Sequence, residues 1–593
     1  MKSYSAVPAR ILVRVTLAAS VLALHASSQI SLDWMATHPD SSSDQGITAF
    51  AVGADGSHYL ATQIQSAPGS SNDDARLVKL SGAGALEWTI EWDTYGYDDV
   101  ISALLVAPNG DVFVAGSDRR ETSMAVNYDA TLRKISPAGT QTWFAASQGF
   151  GNTAVHFNAL ARLSNGAVIG AGKKGSGGHL VRFSDAGSIE WQRTLAGGLG
   201  GTMLADVEVL ADDSIVACGR RGTQYNGALA VWRFDAAGNE LWSTMLDETL
   251  VQQSHGSSLD VTPAGQVVVG GWRLTGGVSN NEMAVAQFDL ASGALDWRLY
   301  LDTGPSGLDE VRRVEVSAEG VVWCAGRRLD PVSDMDTVIL RVAPDGGLLS
   351  MRTWAGGATI YDQPQSLELG SAGQAWVTVM AGDASRDIAV LQFDSTGELS
   401  SADVIDLGGD DIGARAALAP GGKLAIGGLT NSGGDYDLLA LQFDLNDAPT
   451  GFCTAKLNSL GCAPQLGFSG ASSASAASGF EVLCSQARNQ KAGLLIYSLT
   501  GPDATPFQGG YLCVAAPRQR TPVTNSGGSA SGDDCSGVFA FDLNAFASGA
   551  LGGAPAPELS NPGASVHCQQ WSRDPGSLAN SGLSSGLRYV VGP

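Results

Sequence analysis

Carboxylates recur along this chain in two positional sets. One stands just ahead of an apolar run: Asp44, Asp98 and Asp99, Asp309 and Glu310, Asp362, and Asp410 and Asp411. The other stands six residues before the end of a later apolar run: Asp74, Asp129, Glu282, Asp336, Asp387 and Asp437. Gathered on one surface, such groups concentrate negative potential and attract cations. Ca²⁺, which takes about six to eight oxygen ligands, is the cofactor they would serve in an extracellular medium. Asp98, Asp99, Asp336, Asp410, Asp411 and Asp437 are the candidate metal ligands, and Asp44, Asp309, Glu310 and Asp362 the candidates for a wider ligand face. No DxDxDG loop is present; "SDMDT", with Asp334 and Asp336, and "GDYDL", with Asp435 and Asp437, are fragments of one. The same side chains have a plainer task, ordering turns by accepting nearby backbone N–H groups. That architectural role is the leading expectation.

Tests for catalysis come back nearly empty. The sequence has no HExxH helix, P-loop or dinucleotide fingerprint, no sialidase-like Asp-box and no adjacent cysteine pair. His38, His58, His156, His179, His255 and His567 form no motif. His156 and His255 precede apolar runs and are the two placed to reach an acidic face, where a carboxylate pair with a histidine would support lyase or hydrolase chemistry.

The elements that carry these residues repeat. Pairs of apolar runs joined by a turn begin at Ile47, Val100, His156, Leu204, Ser257, Val311, Gln363 and Ile412. The spacing of about fifty residues falls in the range of propeller blades. A third run follows, as in "MAVAQFD" and "LLALQFD", and a fourth usually carries a Trp four residues after a Gly: Trp88, Trp143, Trp191, Trp242 and Trp297, with Met351 and Ser401 at the corresponding places. Four antiparallel strands make a blade, and an indole in each is expected to fill the wedge between neighbours. The eighth unit stops after three strands, and "ISLDWMATH", Ile30 to His38, supplies the fourth with Trp34 in the Trp position. The expected fold is all-β: an eight-bladed β-propeller over residues 29–446, closed by an N-terminal strand, with seven blades as the alternative.

Stretches such as "YDDVISALLVAPNGDVFVAGSD" followed by "DATLRKISPAGTQTW" resemble the SBBP-type β-propeller repeats of secreted bacterial proteins. The resemblance covers most of residues 30–446 and implies a fold and an extracellular setting, with no shared catalytic motif. "FDAAGNELW" and "FDLASGALDW" are also similar, more weakly, to the Trp-docking motif of quinoprotein propellers, a feature of blade packing.

Composition agrees. The 593 residues include 76 Gly and only 16% charged side chains, which suits short strands and turns. The first 28 residues read as an export signal, with Lys2, Arg10 and Arg14 around an apolar run too short for a comfortable membrane span. A secreted or cell-surface protein without a transmembrane segment is expected. The net charge of −24 repels phosphate backbones and disfavours nucleic acid. Residues 451–593 hold seven acidic and seven basic side chains, so the imbalance lies upstream.

After a linker, 447–452, residues 453–593 form a Cys-rich β domain resembling C-terminal domains of secreted repeat proteins. Its six cysteines, Cys453, Cys462, Cys484, Cys513, Cys535 and Cys568, are expected to form three disulfides, with Cys453–Cys462 the preferred sequence-local pair. The functional expectation is a non-catalytic binding or scaffold protein that meets an extracellular protein or polysaccharide through an acidic propeller face, its C-terminal domain serving attachment or assembly. The alternative is a secreted propeller enzyme acting on polysaccharide, or a quinoprotein-like oxidoreductase.

Overall fold

A computed structural model describes residues 31–591 apart from short segments at 39–43, 66–71, 123–124, 151–152, 196–200, 223–226, 247–252, 276–279, 304–306, 330–334, 357–360, 371–372, 383–384, 432–435, 446–448, 471, 475 and 562–563. The expected leader, Asp334 and Asp435 lie outside the described residues. The chain forms two compact units, one chiefly Trp34–Glu398 with Val404–Gln442, the other chiefly Phe443–Pro593.

The first unit is a β-propeller. Among the described residues it has eight four-stranded antiparallel sheets, seven with their strands in chain order. In the eighth, Asp411–Ala419, Lys423–Thr430 and Asp437–Asp444 are joined by Ser31–His38, which pairs beside Asp437–Asp444 as the outermost strand. Each first strand packs against the first strand of the next blade, and that of the eighth packs against Asp44–Val52 of the first, so the ring is closed. The second and third strands of a blade are covered on both faces. Ile215–Gly222 and Gly227–Phe234 are therefore nearly continuous apolar runs, whereas the fourth strand, Glu240–Met245, faces solvent.

Neighbouring blades are joined at their outer rims by one recurring interaction. Trp34, Trp88, Trp143, Trp191, Trp242 and Trp297 each donate Nε1–H to a carbonyl in the following blade's turn between third and fourth strands: Gly82, Pro137, Asp185, Ala236, Leu290 and Pro344, at 2.9–3.3 Å. The same turn lays a glycine on the indole. Gly187 has φ +86°, and a Cβ there would lie 2.6 Å from the Trp143 ring. The Gly four residues before Trp88, Trp143, Trp191, Trp242 and Trp297 thus receives the indole of the preceding blade, and Gly346 receives Trp297. In the sixth blade the Trp rung is held by Ser350 and not by the expected Met351, and Arg341 takes over, donating Nη2–H to Ser395 O at 2.7 Å and Nη1–H to Thr396 O. The seventh blade has Ser401 because the eighth has no such turn: its third and fourth strands come from opposite ends of the chain.

The second unit is β-rich. A six-stranded sheet runs in the order Thr450–Phe452, Ser581–Val590, Ser565–Arg573, Ala492–Ser498 and Gln519–Arg520, with Thr524–Asn525 paired off that path. Gln465–Gly470, Phe480–Ala487 and Gly537–Asp542 form a second sheet. Phe480, Tyr497, Phe541, Phe546 and Tyr589 fill the core. Three expectations are corrected. Thr450–Phe452, expected as linker, is a strand paired with Leu587 and its neighbours. Cys453 pairs with Cys513 and not with Cys462, which pairs with Cys535, at Cα separations of 6.2 and 6.5 Å. The physical reason is that Asn458 Oδ1 accepts from the N–H of Leu460 and of Cys462, turning the chain away from Cys453 and toward Cys535. No third disulfide forms: Cys484 and Cys568 are free and buried in different sheets, burial pushing both thiols up to about 12.

Trp34→Ala removes a half-buried indole and a hydrogen bond at the closing seam, and should cost about 2–3 kcal/mol, less than a wholly buried Trp; deleting residues 31–38 should cost more. Chemical denaturation of the propeller measures both. Gly187→Ala should destabilise by about 1–2 kcal/mol more than Gly265→Ala, which has a similar φ of +78° but open space around its Cβ.

Candidate functional site

The carboxylates that open the first strands fold back on their own loops. Asp99 Oδ2 accepts from Thr94 N–H at 2.7 Å, Asp309 Oδ2 from Thr303 N–H at 2.6 Å, Asp362 Oδ2 from Gly356 N–H at 2.6 Å, and Asp411 Oδ2 from Leu407 N–H at 2.7 Å. All four are buried. Burial raises Asp99, with the nearby Asp118 charge adding to the effect, and raises Asp309 to about 6. Their neighbours face arginines: Asp98 accepts from Arg119 at 3.2 Å, Glu310 from Arg327 at 2.9 Å, and Asp410 from Arg386 at 2.7 Å and the Tyr436 hydroxyl at 2.8 Å. The Arg386 hydrogen bond holds Asp410 down at about 2. Asp44 opens its strand, its side chain outside the description, and Asp437 opens the third strand of the eighth blade.

The third-strand set lies at the same blade edge, as the register shows: Asp99 stands opposite Asp118, and Asp118 opposite Asp129. Half of this set meets an arginine. Arg120 meets Asp129 at 2.9 Å, Arg273 meets Glu282 at 2.7 Å, and Arg328 meets Asp336 at 2.8 Å. The six candidate metal ligands are therefore not brought to one point. The structure instead gathers Asp387, Asp406 and Asp411, whose oxygens lie within 4.8 Å of one another. Asp406 escaped sequence reasoning because it ends a fourth strand, a position absent from both repeating sets.

A second polar region lines the propeller's inner strands, a cavity of about 380 Å³ bounded by Ser102, Asn158, Arg313, Glu315, Glu368 and Arg415 among others. Its acidic side chains bridge blades. Asp206 accepts from Leu259 N–H at 3.1 Å, Asp260 from Val316 N–H at 2.6 Å, Glu315 from Leu369 N–H at 2.9 Å, and Glu368 from Leu418 N–H at 3.2 Å. Each step runs from one inner strand to the next. Ser102 and Asn158 make the reverse link, donating to Phe157 O and Leu204 O at 2.5 and 2.7 Å. Burial raises Glu208 to about 8, helped by Asp260 and Asp206, and raises Glu315 and Glu368. Burial, with Arg313 and Arg312 nearby, lowers Arg415 to about 10. The signal was legible in "DVEV", "SLDV", "VEVS" and "SLEL", where an acid stands two residues or fewer from the end of each first run.

The histidines do not assemble with this acid. His255 stacks on Trp272 and is held at about 4 by burial, with Arg220 adding to it, so it is neutral near pH 7. His156 lies against Tyr128, and burial lowers it too. Ser147 Oγ lies 2.8 Å from His179 Nε2, but the pair is buried, with exposures of 2% and 0%, which keeps substrate from the hydroxyl.

No family model matches the sequence, and no curated protein matches it. Similar solved structures include a quinohemoprotein alcohol dehydrogenase from Comamonas testosteroni, 10% identical over 71% of this chain and 77% of that one, TM-score 0.49. Sqt1 from Chaetomium thermophilum is 13% identical over 70% of this chain and 100% of that one, TM-score 0.46, and the WD40 repeats of RRP9 are 11% identical over 70% and 99%, TM-score 0.37. At such identities the likeness bears on fold alone. No helix among the described residues is long and apolar enough to cross a membrane.

The inner carboxylates set a pH dependence. Glu208 has a folded pKa of about 8 against an ordinary 4.5, so the native state holds a proton that the unfolded chain releases. Its contribution is complete below pH 4.5 and is lost as pH rises through 8. Thermal melts should fall between pH 5 and pH 8.5, and Glu208→Gln should flatten that slope; an unchanged slope in the variant would assign it elsewhere.

Proposed function

We propose that this chain is a secreted, non-catalytic binding or scaffold protein of the SBBP-like kind, its propeller offering an acidic surface to a cationic extracellular polymer, either a basic protein segment or an amino-bearing polysaccharide. The C-terminal unit, held by two disulfides, would serve attachment or assembly. The observation that supports this reading is where the carboxylates spend their oxygens. Asp99, Asp309, Asp362 and Asp411 order their own loops, Asp129, Glu282 and Asp336 meet arginines, and Asp206, Asp260, Glu315 and Glu368 tie one inner strand to the next. An acid–base catalyst needs a proton donor or acceptor aimed at a reacting atom. Here the acidic groups are committed to the fold, and the two histidines nearest them are held neutral. What remains for a partner is the negative field, which recruits cations over about a Debye length and weakens with salt.

The test is binding of the purified chain to chitosan oligomers and to polylysine by biolayer interferometry at 50 and 500 mM NaCl, with reducing-end and dye-linked oxidation assays on the same samples. Retention on the cationic polymers, falling at least about tenfold at the higher salt, with no product formed, is the expected result. Release of reducing ends, unsaturated sugars or reduced dye would overturn the reading in favour of an enzyme.

A further inference from the structure

The carboxylates of the third-strand set are not treated alike from blade to blade. In the fifth and sixth blades the residue directly across the ladder is an arginine: Arg273 stands opposite Glu282 and Arg328 opposite Asp336, each within ion-pair distance. In the seventh blade the same place opposite Asp387 is Ala381. The acid is not reduced to match. Asp406, at the end of the fourth strand, and Asp411, opening the eighth blade, bring two more carboxylates to Asp387, all with oxygens within 4.8 Å. The nearby arginine, Arg386, is spent on Asp410 and Tyr436. Among the described residues no cationic side chain forms an ion pair with the three.

Two buried oxygens mark the gap. Asp411 is 0% exposed; its Oδ2 takes the Leu407 N–H, while its Oδ1 has no hydrogen-bond partner, and Oδ1 of Asp387 has none either. A buried carboxylate oxygen left without a donor destabilises the fold unless something replaces its lost hydration. Burial raises Asp387, with the charges of Asp406 and Asp411 adding to it. In the sister blades a guanidinium supplies the missing positive charge.

We propose that Asp387, Asp406 and Asp411 bind one Ca²⁺ at the junction of the seventh and eighth blades, the ion standing where the fifth and sixth blades place an arginine. The span of the oxygens fits. Oxygens within 4.8 Å of one another fall inside the about 4.8 Å that ligands about 2.4 Å from Ca²⁺ can span across the ion, and Ca²⁺ accepts the irregular geometry that Mg²⁺ does not. Asp406 is exposed and Gly408 N–H holds its Oδ1 at 2.8 Å, leaving Oδ2 and the open side for the ion and its waters. The site joins two blades next to the seam that the N-terminal strand closes, so its ion is a brace in the ring. It stands independently of whether the propeller binds a polymer or turns one over.

The experiment uses the whole mature chain, freed of metal with EDTA and titrated with calcium chloride by calorimetry and by thermal melting, with magnesium chloride as the competitor. One site with Kd near 10⁻⁴ M, a higher melting temperature in calcium and little competition from magnesium are expected. Asp406→Asn, at an exposed position that leaves folding intact, should weaken binding at least about tenfold. Ala381→Arg should install the sister blades' ion pair, raising the calcium-free melting temperature and abolishing the calcium response. Absence of both heat and melting shift in the wild type would overturn the site, as would calcium binding that Asp406→Asn leaves unchanged. Should Ala381→Arg fail to fold, the Asp406→Asn titration still decides.

Discussion

A propeller places the edge strand of every blade at its centre. The first strand has a partner on one side only, and on the other its N–H and C=O groups face the channel with no ladder to complete them. Side chains from the adjoining inner strand satisfy some of these groups. Asp206, Asp260, Glu315 and Glu368 each take an N–H from the next blade, and Ser102 and Asn158 each give a hydrogen to a carbonyl. For the two donors, a bulge in the first strand makes this possible by turning a residue out of the ladder, whereas the four acids keep their places in it. At Ile101/Ala103 and Phe157/Ala159 the residue skipped is Ser102 or Asn158 itself. The close approach of the bulged backbone leaves no room for a side chain behind it: a Cβ on Gly116 would overlap the carbonyl of Val100. Inner polarity, bulge and glycine are one device.

The outer rim works on the opposite principle. There the sheets diverge, and a wide side chain is needed to span the wedge. Trp does this with an apolar ring and a single N–H that the neighbouring turn can accept, so each interface gains packing and direction from one residue. Between the fourth and fifth blades, and between the fifth and sixth, a carboxylate inside and an indole outside therefore hold the same pair at two radii.

The period, the four strands per unit, the Trp series and the split eighth blade were legible because each rests on a pattern in apolar spacing, and apolar spacing is what burial imposes on a strand. Ser401 was legible as a departure but not as a consequence; the reason, a missing receiving turn, exists only once the ring is closed. The candidate site was less legible. Sequence reasoning weighed acids by their position in the repeat, and repetition singles out the loop-ordering residues Asp99, Asp309, Asp362 and Asp411. Whether an acid is neutralised depends on what stands across the ladder, and Arg328 and Ala381 occupy the same rung without any local signal to say so. The disulfides were misread for a related cause. Proximity in sequence favoured Cys453 with Cys462, but an Asn-ordered turn between them points the two sulfurs to different partners.

Ser31–His38 is synthesised before every other propeller strand described here and can pair only once the last of them is made, because its neighbour Asp437–Asp444 follows about four hundred residues later. Seven blades are complete in sequence before the first segment of the chain has anywhere to go. A polypeptide that emerges end first must therefore keep an apolar, Trp-bearing strand unpaired through nearly the whole of the propeller's production, and must hold the first blade's flank uncovered until the eighth is made. The last event of propeller formation is a meeting of the oldest and youngest parts of the ring. The chain thereby carries its own test of completeness: a product truncated anywhere before Asp444 has no place to put its beginning.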